Sequence, residues 1–138
     1  MKKTIKSTVS LLLAFTFVVC LASCGTEVDK EGLWENATYL KDTELGKGAK
    51  TAIVEVKAGE QSITLTVHTD EEMLGAALAS HDLIEGEDGL YTKVNGMVAD
   101  YNVDQSYWGF YIDGEFAMTG FDTTPIAEGV VYQLIYTK

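Results

Sequence analysis

Two dipeptides, Asn95-Gly96 and Asp113-Gly114, do most to limit the folds open to this sequence. The first stands between Leu90-Tyr-Thr-Lys-Val94 and Met97-Val-Ala-Asp-Tyr101, the second between Trp108-Gly-Phe-Tyr-Ile112 and Glu115-Phe-Ala-Met-Thr119. A type I′ turn demands positive φ at both central residues, which Asn-Gly and Asp-Gly accept. Each dipeptide between runs of β-branched and aromatic residues therefore predicts a two-residue β-hairpin.

The remaining segments extend this pattern. Thr51 to Lys57 and Ser62 to Thr69 alternate apolar with polar, with Ile63, Leu65 and Val67 on one face, and Ala-Gly-Glu-Gln between them predicts a further hairpin. Thr69 with Glu72 forms a capping-box pattern, and Met73, Leu74, Ala77, Leu78 and His81 recur at helical spacing. This predicts an amphipathic helix of about three turns. Val130 to Thr137 is apolar on both faces, as in a strand interior to a sheet. The expected fold class is α+β: a mixed sheet with one helix packed across it.

The opening residues read as processing signal. Lys2, Lys3 and Lys6 precede an apolar run of about 15 residues, shorter than the roughly 20 a membrane span needs. Leu21-Ala22-Ser23-Cys24 resembles the lipobox of bacterial lipoproteins, which implies cleavage before Cys24 and a lipid on its sulfur. Residues 1–23 are then a lipoprotein signal peptide, residues 24–35 a flexible tether and residues 36–138 the domain, held by acyl chains to the extracytoplasmic face of the cell membrane. Of the two cysteines, Cys20 leaves with the signal and Cys24 is blocked, so the domain folds on apolar burial alone.

Charge narrows the partners. Ten lysines, no arginine and 21 acidic residues give −11, and loss of the first three lysines takes this to −14. Such a surface repels phosphate backbones, which excludes nucleic acid. Without arginine there is no bidentate fork for an anionic ligand.

Chemistry-bearing motifs are sparse. Asp100, Asn102 and Asp104 alternate like calcium-loop ligands, but Gln105 and Tyr111 stand where glycine and glutamate are required. His68 and His81 lack a third ligand at metal-site spacing, and Ser80 and His81 diverge on a helix by about 100 degrees. With no nucleophile elbow or phosphate loop, the expectation is a protein without catalytic activity, cofactor or metal.

Ser106 to Phe116 carries five aromatic rings. On a hairpin turned at Asp113-Gly114, Trp108, Phe110 and Ile112 point to one side, expected as core, with Trp108 opposite Thr119 and Tyr107 opposite Gly120. Tyr107, Tyr111, Phe116 and Met118 point to the other, where Gly109 and Gly120 leave a shelf. That face is either a ligand platform or is covered by the Gly48-Ala49-Lys50 segment.

Val94-Asn95-Gly96, Tyr107-Trp108, Tyr111-Ile112-Asp113-Gly114, Met118-Thr119-Gly120 and Gly129 with Tyr132 together resemble the transcobalamin-like C-terminal domain, a family of unknown function found in secreted and lipid-anchored bacterial proteins. The resemblance spans about residues 36 to 138 and implies a β-grasp-like fold. In B12 carriers such a domain lies against one face of the corrin while a helical barrel covers the other; this sequence has no barrel. The implied ligand is a corrinoid or another flat ring, and the candidate residues are Tyr107, Trp108, Tyr111, Phe116, Met118 and Phe121. The competing expectation is an adhesion module whose exposed rings meet a transporter or surface protein.

Overall fold

The computed structural model describes residues 27–87 and 89–138. The expected signal peptide and Cys24 lie outside the described residues. Strands β1 (Thr43–Gly46), β2 (Lys50–Ala58), β3 (Gln61–Thr69), β7 (Tyr107–Ile112), β8 (Glu115–Phe116) and β9 (Val131–Thr137) form a six-stranded mixed sheet in the order β1-β3-β2-β9-β7-β8. Strands β4 (Ile84–Glu87), β5 (Leu90–Val94) and β6 (Met97–Val98) form a smaller antiparallel sheet. Two short helices, α1 (Leu74–Ala79) and α2 (Tyr101–Asp104), complete a mixed α+β architecture.

The β2–β3 hairpin follows its alternation. Val54 pairs with Leu65 and Val56 with Ile63, and all four are buried on one face. β9 lies between β2, to which it is parallel, and β7, to which it is antiparallel. This is the interior place that its apolar sequence predicts. Tyr132 and Leu134 of β9 join Leu74, Leu78, Leu83, Val94 and Met97 in a single core shared by the large sheet, α1 and the small sheet.

Both expected hairpin turns form, with positive φ at Asn95 (51°) and Gly96 (84°), and at Asp113 (49°) and Gly114 (87°). At Gly96 the requirement is double, because a Cβ there would also collide with the Asn36 carbonyl oxygen. The buried Asn95 amide clamps the incoming chain: its Oδ1 accepts the Tyr39 N–H at 2.9 Å and its Nδ2 donates to the Tyr39 carbonyl at 3.0 Å.

Three expectations are corrected. The capping box does not form, and α1 has six residues instead of three turns. Thr69 Oγ1 accepts the Glu71 N–H, and Glu72 pairs with Lys50. Leu74 N–H donates to the Thr124 carbonyl, Ile126 N–H donates to the Glu72 carbonyl, and Met73 bridges to Pro125. These bonds hold residues 72–74 against the 124–126 segment, where the expected first helical turn would be.

The second correction concerns β8, which ends at Phe116. Ala117 N–H still donates to the Phe110 carbonyl, but the Trp108–Thr119 and Tyr107–Gly120 pairings are not made. Thr124 Oγ1 instead donates to the Gly120 carbonyl at 2.7 Å, folding the chain into a 3-10 turn, Phe121–Thr123, that returns Phe121 to the core.

The third concerns the tether. From Glu27 on, the segment expected to be free lies on the domain: Val28 N–H donates to the Leu40 carbonyl, and Trp34, 2% exposed, donates its indole N–H to the Ala58 carbonyl at 3.0 Å. An indole with both burial and a hydrogen-bond partner is a core residue.

Candidate ligand cleft

Because β8 is so short, β7 has a partner strand on its far edge only at Tyr111 and Ile112. Phe110 turns its carbonyl toward that edge, to Ala117, and strand alternation turns the Trp108 main chain the same way. A cleft of about 500 Å³ opens there, between β7, β5, α2 and the loop of residues 117–121.

Its floor is aromatic. Trp108, Phe110 and Phe121 are buried, with the rings of Phe110 and Phe121 4.4 Å apart and Tyr91 edge-on to Phe121 at 5.1 Å. Trp108 Nε1 donates to the Met97 carbonyl at 3.1 Å, which fixes the indole between the two sheets. The rim is aromatic too, but open: Tyr101 is 64% exposed, Tyr107 43% and Phe116 60%. Surface rings gathered around an apolar hollow mark a binding surface more than scattered ones do.

The polar side chains of the lining are the Asp100 carboxylate, the Asn102 amide and the hydroxyls of Thr92, Ser106, Thr119 and the tyrosines. Asp100 lines the cleft and caps α2, accepting the Asn102 N–H at 3.0 Å. Asp104 receives the Ser106 hydroxyl at 2.5 Å and lies 3.5 Å from Lys138. The Ser106 hydrogen bond is the main reason its carboxyl sits below the usual range. On the inner wall Tyr91 Oη donates to Asp122 at 2.6 Å, and this bond, with burial and the carboxylate charge, pushes the phenol up to about 12. Among the described residues no lysine, arginine or histidine lines the cleft.

Of the expected ligand residues, Tyr107, Trp108, Phe116 and Phe121 line the cleft together. Tyr111 and Met118 are not part of its lining. Tyr111 lies on the opposite sheet face from buried Phe110 and packs edge-on against Phe116 at 5.5 Å; Met118 is 91% exposed. The expected shelf is half present. A Cβ on Gly109 would meet the Tyr111 ring at 3.0 Å, whereas one on Gly120 would meet nothing within 4 Å. The Gly48–Lys50 segment lies against Thr69 and Asp70, at the far side of the sheet from β7.

Tyr91, Tyr101 and Leu90 were missed, because the sequence places them one hairpin or more from the aromatic run. The signal available was Tyr101 itself, an aromatic in the polar stretch Asp100 to Asp104. Elsewhere, His68 bridges Thr51 Oγ1 at 3.2 Å and Glu44 Oε1 at 3.0 Å on the sheet surface. Among the described residues no group of three or more His, Cys, Asp or Glu side chains is placed to hold a metal ion.

Comparison with known proteins adds the following. No family model and no curated relative matches the chain. A crystal structure from Ruminococcus gnavus ATCC 29149, of a protein provisionally described as metal binding, matches with a TM-score of 0.61 and 29% identity, covering 65% of this chain and 98% of that one. Haptocorrin, solved in complex with Cbi, matches with a TM-score of 0.48 and 17% identity, over 68% of this chain and 27% of that one. The chain is thus similar in fold to the Ruminococcus gnavus protein over nearly all of that protein's length.

Proposed function

We propose that this protein is a non-catalytic binding domain, lipid-anchored through Cys24 on the extracytoplasmic face of a bacterial membrane, that takes a flat-ring small molecule in the cleft beside β7. A corrinoid is the leading ligand class, in keeping with a β-grasp-like, transcobalamin-related domain. The observation that carries this reading is the cleft itself: three exposed rings stand around a buried aromatic floor, with an unpaired strand edge between them. Flat ligands gain from stacking and edge contacts on such rings, and the free edge supplies main-chain polar groups that fix orientation.

Binding is tested by the excited-state lifetime of Trp108 in a Trp34→Phe variant, which leaves a single indole. Corrinoid or haem should shorten that lifetime saturably, and Phe116→Ala should weaken the effect. A lifetime unchanged by either compound removes the reading. Anchoring is tested by fatty-acid labelling of the full chain in a bacterial host, which Cys24→Ala should abolish.

One observation favours a second reading, an interaction module for a transporter or surface protein. The free β7 edge with Phe116 and Met118 beside it could accept an added strand from a partner.

A further inference from the structure

The rings at the cleft rim have a second property beyond flatness. Tyr101 and Tyr107 belong to none of the ring pairs found among the described residues, and Phe116 makes one such contact, with Tyr111. The π-faces of Tyr101 and Tyr107 are therefore not taken up by another ring, and a π-face carries the negative centre of the ring's quadrupole. Asp100 stands in the same lining; Asp104, at the end of α2, and Asp122, which accepts from Tyr91, lie just outside it. Lys138 is already engaged by Asp104, and among the described residues no cationic side chain is part of the lining.

The rim rings and nearby carboxylates create negative potential at one place, and partial exclusion of water lets that potential act. An anion entering the cleft would meet no counter-charge. A neutral apolar compound would use the hollow and leave the field unused. Building on the reading of this cleft as a ligand site, we propose that it selects organic cations: compounds in which a substituted ammonium sits against Tyr101, Tyr107 and Phe116 while an apolar body lies on Trp108 and Phe121. The carboxylates act at longer range and draw the cation in.

The test compares choline with its uncharged isostere 3,3-dimethylbutan-1-ol, titrated into the full chain and followed by NMR of the aromatic side chains. Choline is expected to move the Tyr101, Tyr107 and Trp108 resonances and to bind at least about tenfold more tightly than the isostere. Salt should weaken choline alone. Tyr101→Leu with Tyr107→Leu, which keep apolar bulk and remove the rings, should bring the two compounds together. Equal affinities overturn cation selection and leave the cleft as an apolar site. Choline and isostere both inert, with corrinoid or haem still moving these resonances, has the same meaning. If none of the four compounds moves them, the proposal and the ligand-site reading fall together.

Discussion

The Trp108 indole N–H and the Met97 carbonyl, 3.1 Å apart, join β7 of the large sheet to β6 of the small one beneath the cleft. Trp108→Phe keeps an aromatic ring but leaves the carbonyl without this donor, at a cost of about 1–3 kcal/mol. Trp108→Ala also opens a cavity and should cost about 3–5 kcal/mol. Urea unfolding of the two variants measures the difference; equal losses would show that the hydrogen bond contributes nothing separable from ring volume.

Asn95 has two duties that can be separated. Asn95→Gly preserves the left-handed turn and loses the two bonds to Tyr39, so the expected loss is about 1–3 kcal/mol. Asn95→Ala loses the same bonds and adds roughly 1–2 kcal/mol of left-handed strain. The alanine variant should therefore melt below the glycine variant.

Alkaline pH should act through Tyr91. Its phenol is raised from 10.0 to about 12 in the folded state, first by the hydrogen bond to Asp122. The folded state holds this proton more tightly than the unfolded chain, so the stabilisation is complete below about pH 10 and is lost as pH rises toward 12. Tyrosinate absorbance should show one phenol titrating late, and Tyr91→Phe should remove both that late step and its share of the alkaline loss of stability.

Gly120 offers a way to close the cleft without harming the fold. Its φ is −85°, which any residue tolerates, and a Cβ there meets open space. Gly120→Phe should leave stability within about 0.5 kcal/mol of the parent while reducing ligand affinity at least tenfold. Loss of stability without loss of binding would place the ligand elsewhere.

The position of Trp34 predicts that the ordered domain begins well before residue 36. Trp34→Ala should cost about 3–5 kcal/mol, as for other buried aromatics. A free tether would show no change in a melting curve.

The turns and the alternating strands were legible in the sequence because their causes are local. Asn95-Gly96 and Asp113-Gly114 carry their own backbone preference, and Ile63, Leu65 and Val67 declare a buried face by period alone. Where long-range bonds compete, the local signal failed. Thr69 and Glu72 satisfy the capping rule, yet Thr124 and Pro125 hold the next residues in an extended bridge. β4 was not anticipated because Ile-Glu-Gly-Glu shows no alternation, and pairing with β5 defines it. The cleft was half legible for the same reason. Tyr107, Trp108, Phe116 and Phe121 came from one aromatic stretch, but Tyr91 is brought to it by the small sheet and Tyr101 by α2, which no period encodes.

The place of β9 has a consequence for how the molecule assembles. In sequence it follows every other strand, yet within the large sheet it is the sole link between β1-β3-β2 on one side and β7-β8 on the other. Until Val131–Thr137 has emerged from the ribosome, the two groups have no ladder to share, and the parallel union with β2 must close a long loop. The nascent polypeptide is thereby kept from finishing its sheet early, whatever machinery is handling it.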